Sequence, residues 1–293
     1  MRFALDKVVS DQAEGLRRLL ARSGARVLAV TGGSTSVGCT TTVVNLAAAL
    51  AEQGRDVLVI DECVGEFSVS TMLGGVRGAG NFAAVASGEM PLEAAVARHA
   101  LGFSVLAASS SNRDGFSAAQ MSVVLEGPAD IVLIDAQLDR GGQLSALAMQ
   151  AHDLMIVTRV AGQAITDAYA CMKRLHYAHG IAQFRVLVNH VQSVTDARTA
   201  FDNLAGVAGR YLTVALEDAG CIAADARMAR ALELSRCVVD AFPSTPAARD
   251  YRHLAAQLQY WPMRSAISSR HHWVAPATVT AAQHADQPSA QHA

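Results

Sequence analysis

The chain has 293 residues, 51% of them hydrophobic, and a formal net charge of −2. That is enough apolar material for one large core plus tails. The near-neutral balance excludes a strong electrostatic pull toward nucleic acid or anionic lipid, so direct nucleic-acid binding is not expected. Lys7 and Lys173 are the only lysines. Five cysteines (Cys39, Cys63, Cys171, Cys221 and Cys237) without CxxC spacing point to free thiols in a reducing cytoplasm, and to neither a disulfide frame nor a zinc site. Met1–Ser10 lacks the apolar stretch of a signal peptide, and no apolar run reaches bilayer length, so a soluble cytoplasmic protein is expected.

In chain order, Asp11–Ala21 predicts a leading helix, with Asp11 as cap, Glu14 in a capping box, and Ala13, Leu16, Leu19 and Leu20 on one face. Apolar, β-branched runs predict buried parallel strands at Val27–Thr31, Val57–Asp61, Ile131–Asp135, Leu154–Thr158 and Val186–Asn189. Helical patterns at Thr40–Gln53, Gln143–Gln150 and Ala164–His176 alternate with them. The alternation predicts an α/β fold with a doubly wound, mostly parallel sheet flanked by helices. A short run at Tyr211–Ala215, a turn at Gly220, and helices near Arg227–Leu234 and Pro246–Leu258 close the domain. Thr245 is placed as the cap of the last helix, with Pro246 at its first position. From about Pro262 the chain turns rich in Ala, Gln, His and Ser without apolar periodicity, which predicts a disordered tail. Its histidines (His271, His272, His284 and His292) show no metal-ligand spacing. The expected organisation is a leading helix over 1–23, the α/β domain over 24–262, and a tail over 263–293.

The strand Val27–Thr31 runs into Gly32-Gly33-Ser34-Thr35-Ser36-Val37-Gly38-Cys39-Thr40-Thr41 and then a helix. Strand, glycine loop, helix is the setting of a phosphate loop, whose amides and helix N-terminus cradle anionic phosphates. Gly33 and Gly38 stand at the loop's glycine positions, and Thr40 is placed to hold Mg²⁺. Cys39 occupies the position where lysine should reach the β- and γ-phosphates. Losing such a charge costs roughly 10²–10³-fold in rate by analogy with lost oxyanion donors. Two readings stand: a cradle that still holds nucleotide weakly, or a tight turn with no ligand. The retained Gly33, Gly38, Thr40 and Thr41 favour the first. Asp61 and Asp135, each ending an apolar strand, would lie beside the loop at the carboxyl edge of the sheet.

At this point the residues resemble a known family. Val27–Gly75 looks like the start of a MinD/ParA-type P-loop ATPase. More specific stretches resemble its flagellar branch, called FlhG or FleN: SDQAEGLRRL (Ser10–Leu19), NFAAVASGEMPLEAAV (Asn81–Val96), AITDAYACMKRL (Ala164–Leu175), RVLVNHV (Arg185–Val191) and GCIAADARMARAL followed by FPSTPAA. The resemblance spans roughly Ser10 to Leu258. It implies ATP or ADP with Mg²⁺ as cofactor. Thr40 and Asp135 would hold the metal. Gly38, Cys39 and Thr41 would touch phosphates, and Asn189 the base. Asp61 and Asp135 would lie near the metal and the attacking water as residual catalytic residues. Asp11, Gln12, Ala13, Leu16 and Arg17 would dock on the FlhF-type signal-recognition GTPase. Flagellar C-ring proteins and the flagellar master transcription regulator are further implied partners, with recruitment to the cell pole or inner membrane face.

Departures from the family are concentrated in the catalytic parts. Ser34 replaces the signature lysine that reaches across a dimer, Cys39 the phosphate-loop lysine, and Cys63 the second Asp of the DAD segment. Arg159-Val160-Ala161-Gly162 stands in place of a Pro-Glu-Pro run. Pro262 interrupts the C-terminal stretch that the family uses as an amphipathic membrane helix, and a basic face is missing. The leading expectation is a regulator of flagellar number or placement that works by protein–protein binding, with little or no ATP hydrolysis. The alternatives are a working ATPase switch between ATP dimer and monomer, and a partition-type relative. The leading helix has its own alternative, packing on its own domain.

Overall fold

The computed structural model describes residues 24–109 and 115–270. The leading helix and the tail beyond Arg270 lie outside the described residues. Eight strands form one sheet: β1 (Arg26–Gly32), β2 (Val57–Asp61), β3 (Ala97–Arg98), β4 (Ser104–Ala107), β5 (Ile131–Asp135), β6 (Asp153–Arg159), β7 (Gln183–Val191) and β8 (Ala215–Ala223), in the order β3-β4-β2-β5-β1-β6-β7-β8. Every pairing is parallel except β3 with β4. The expected doubly wound α/β sheet is therefore present.

Strand chemistry explains the layers. In β1, Val27 and Ala29 face one apolar cluster while Leu28 and Val30 face the other, so both faces of the sheet are covered. The Leu28 face packs on α1 (Cys39–Glu52). A set of short helices follows, and most of them, together with two later and longer ones, cover the opposite face. These short helices are α2 (Val69–Met72), α3 (Phe82–Ala86), α4 (Leu92–Ala95) and α5 (Ala118–Leu125), of which α2 sits on the α1 side. The longer ones are α6 (Gly162–His179) and α7 (Val194–Leu212). Three C-terminal helices, α8 (Ala226–Glu233), α9 (Val238–Ala241) and α10 (Pro246–Leu258), return to the α1 side. The Thr245 hydroxyl caps α10 by accepting from the Ala248 N–H, as expected.

Four expectations change. Gln143–Gln150 forms turns ending in a 3₁₀ helix at Ala148–Gln150, because the Ser145 hydroxyl donates to buried Glu62 and accepts from the Ala148 N–H. Tyr211–Ala215 is no strand: α7 runs to Leu212, Thr213 turns left-handed at φ 56°, and β8 begins only at Ala215. Gly220 makes no turn between elements. It lies inside β8 at φ 95°, where the pairing slips from Val186↔Asp218 to Val188↔Cys221. The stretch read as tail also starts too early. Ile267 is buried and its N–H donates to the Ala151 carbonyl.

The amino edge of the sheet is held by a charge knot. Asp153, at the start of β6, accepts from Arg26 (3.1 Å), Arg185 (3.0 Å) and Arg264 (3.2 Å), and its carboxylate is fully buried. Glu217 pairs with Arg185 at 2.7 Å and with Arg264. Trp261 lies over the Arg185 guanidinium, 3.8 Å from ring centroid to the cation. Removing the central carboxylate would strand buried cations. Asp153→Ala is therefore expected to lose about 3–5 kcal/mol of stability, measured as a lowered urea midpoint.

Candidate functional site

The carboxyl edge of the sheet carries the site. Strand β1 ends at Gly32, between β5 and β6, and the glycine loop leads from it into α1. Two residues in the loop adopt left-handed backbone, Ser36 at φ 64° and Gly38 at φ 101°. Left-handed residues alternating with ordinary ones turn successive N–H groups to one side, which builds a concave anion-binding nest at the N-terminus of α1. Gly38 is the N-cap of α1, and its carbonyl accepts the first helical bond from Thr42.

Glycine is required at Gly33 by space, and at Gly38 by space and by its left-handed dihedral angle. A Cβ on Gly33 would lie 2.1 Å from the Asp167 carbonyl oxygen of α6. One on Gly38 would lie 2.2 Å from the Asn189 side-chain nitrogen. Asn189 thus stands against the loop: its Nδ2 donates to the Val37 carbonyl at 2.8 Å, and its Oδ1 accepts from the His190 N–H.

Cys39 begins α1, and its sulfur packs close to Gly32. Burial raises the thiol pKa, and the nearby Asp135 and Cys171 raise it further. The side chain at the lysine position is thus a neutral thiol. Asp61 and Asp135 are register partners on β2 and β5. Strand alternation with Leu133 turns Asp135 toward the α1 side. Asp61 accepts from the N–H groups of Cys63 and Ser70, both at 3.1 Å, and from the Ser70 hydroxyl. Burial nonetheless raises its pKa. Asp135 is 1% exposed, and neither carboxylate oxygen has a hydrogen-bond partner at ordinary geometry. Burial lifts its pKa to about 7, opposed by the nearby Thr40 hydroxyl. Among the described residues, no ion pair reaches Asp61 or Asp135.

The structure therefore brings Gly33, Gly38, Cys39, Thr40, Thr41, Asp61, Asp135 and Asn189 to one edge. The partner residues Asp11, Gln12, Ala13, Leu16 and Arg17 lie outside the described residues. Two nearby residues were not among the expected site residues, although Arg159 was already named as a departure from the family. Glu62 is buried and accepts from the Gln137 N–H and the Ser145 hydroxyl, tying the β5 loop to β2. Arg159 ends β6, in register with Asn189, and its Nε is buried without a hydrogen-bond partner. Its place after an apolar strand was a visible signal.

The donors fit a nucleotide in part. The nest, the Thr40 hydroxyl and orphaned Asp135 suit a phosphate chain with Mg²⁺, which would supply charge neutralisation when bound. A cation at Ser34 or Cys39 is missing from that set.

Comparison with known proteins agrees with this geometry. A family model described as the CobQ/CobB/MinD/ParA nucleotide binding domain matches residues 28–207. The antiactivator FleN of Pseudomonas aeruginosa is 30% identical over 246 residues, covering 81% of this chain and 88% of that protein. A putative septum site-determining protein MinD of Guillardia theta is 30% identical over 176 residues, 57% of this chain and 65% of that protein. The fold superposes on MinD in the MinC:MinD cell division complex of Aquifex aeolicus with a TM-score of 0.64 at 23% identity, over 82% of this chain and 97% of that one. It also superposes on the septum site-determining protein MinD complexed with Mg-ADP from Pyrococcus horikoshii, with a TM-score of 0.60 at 22% identity, over 80% and 96% of the two chains. Loop, strand-end acids and matched span together lead to one assignment: the chain belongs to the MinD/ParA family of P-loop nucleotide-binding proteins.

Proposed function

We propose that this chain is a FleN-like regulator of flagellar number or placement that acts by binding other proteins and turns over little or no ATP. The observation that carries the second half is the neutral, half-buried thiol of Cys39 where the loop needs a cation, next to Asp135, which has no ion-pair partner among the described residues. Phosphoryl transfer depends mostly on positioning and charge stabilisation. Amides alone can hold a phosphate chain, but they leave the charge developing on it without a lysine to meet it. The likeness to antiactivator FleN supports the first half, because it spans most of both chains.

In this reading the retained parts are those that shape a surface, and the lost parts are those that drive a cycle. The segment Ser10–Leu19 would engage an FlhF-type GTPase, with C-ring proteins or the flagellar transcription regulator as further partners. Among the described residues no helix is long and apolar enough to cross a membrane.

The deciding measurement is ATP turnover by the purified chain with Mg²⁺. Turnover at background level is expected; clear hydrolysis that disappears in Asp135→Ala would overturn the reading in favour of an ATPase switch. Restoring the charge should strengthen nucleotide binding. Cys39→Lys is expected to tighten ATP about 10- to 100-fold, the worth of one charge-assisted hydrogen bond, as read by calorimetry. Deletion of Met1–Ala21 should abolish stimulation of the partner GTPase; stimulation that survives the deletion would remove the role given to the leading segment.

A further inference from the structure

Two of the family departures place sulfur at the same spot. Cys63 stands beside Asp61 and Asp135, and one ligand atom from each of the three residues lies within 4.8 Å of the others. Asp61 and Cys63 flank the end of β2, and Asp135 ends the neighbouring β5. The Cys63 thiol points at this strand end, donating weakly to the Asp135 carbonyl at 3.9 Å.

We propose that Asp61, Cys63 and Asp135 form a transition-metal site, selective for Zn²⁺ or Co²⁺ over Mg²⁺ and independent of nucleotide. An independent observation points to a ligand there. Asp135 is 1% exposed, yet neither carboxylate oxygen has a donor at hydrogen-bond geometry, although the Thr40 hydroxyl and the Cys63 thiol lie nearby. Buried polar atoms are almost always partnered, and a buried carboxylate without one is costly. Asp61 is oriented for ligation, since Ser70 and the Cys63 N–H hold its carboxylate in place and leave lone pairs open. The three ligand atoms, within 4.8 Å of one another, would draw closer on binding. Zn–O bonds of about 2.1 Å and Zn–S bonds of about 2.3 Å put tetrahedral ligand atoms roughly 3.5 Å apart. An ion can approach from the side of Asp61 and Cys63, which line a cleft of about 430 Å³ together with Ser70 and Arg77.

The donor set decides the metal. Mg²⁺ takes hard oxygen donors in an octahedron and gains nothing from sulfur, whereas thiolate ligation selects zinc-like ions. On binding, a Zn–S bond forms, the Cys63 S–H bond breaks, and the proton passes to solvent with no change of oxidation state. A water molecule completes the shell. Sequence spacing alone argued against a zinc site, because the cysteine is single and its co-ligands come from two strands. This inference stands apart from the flagellar reading, which a failed metal titration would leave intact.

The test uses the reduced, full-length chain, stripped with chelator and titrated with Co²⁺ in the absence of nucleotide. One equivalent should bind with sulfur-to-cobalt charge-transfer absorption, be displaced by Zn²⁺, and resist excess Mg²⁺. Cys63→Ser should lose the absorption and weaken binding at least about 100-fold, beyond the loss usual for outer-shell changes. Cys221→Ser, on β8, should change neither. Cobalt bound without the charge-transfer band, as histidines of the 271–293 segment would bind it, sinks the proposal, as does a band that persists in Cys63→Ser. Should Cys63→Ser fail to fold, the near-isosteric Asp135→Asn decides: unchanged cobalt affinity in that variant overturns the site.

Discussion

A buried carboxylate without a cation governs the chemistry of this fold. Asp135 is carried inward by the apolar strand that ends in it, between β1 and β2, so its position follows from the core and not from any ligand. Its neighbours are two thiols, a hydroxyl and two further acids, Asp61 and Glu62. The immediate surroundings of Asp135 are thus negative or neutral where phosphates would need positive charge. Everything else at the edge, from the left-handed loop residues to the glycine contact with α6, is kept in the form that a phosphate cradle needs.

This separation of scaffold from charge makes physical sense. Loop shape is enforced by packing: Gly33 touches helix backbone and Gly38 touches Asn189, so changes there would disturb the core. The lysine position has no such constraint, because a small thiol fills the space beside Gly32 well. A chain that no longer needs the cycle can lose its cations at little structural cost, but not its glycines.

Much of the architecture was legible because it is local. The buried strands β2 and β5 have the expected bounds, since runs such as Val57–Asp61 and Ile131–Asp135 can only be covered on both faces. The α10 cap was readable from Thr245 and Pro246 alone. Helix α7 was missed although its buried Ala197, Ala200, Leu204, Ala208 and Leu212 follow helical spacing. Small alanines gave that stripe little hydrophobic contrast. The Ser117 and Gln120 capping box of α5 was likewise present in the sequence and overlooked. What could not be read was non-local. No pattern links Arg26 to Asp153, or Glu62 to Ser145, across 127 and 83 positions. At the site, residue types told which groups would gather, while the orphaned state of Asp135 and the turn of Asn189 onto Val37 depend on three-dimensional packing.

The charge knot at the amino edge has a topological consequence. Arg26 opens the first strand and Arg264 follows the last helix, yet both grip the same carboxylate. The two extremities of the folded body therefore emerge from one pole, opposite the glycine loop. The Asp153 carboxylate thus acts as a clasp that fastens the first strand to the segment after α10, and its loss would loosen both at once.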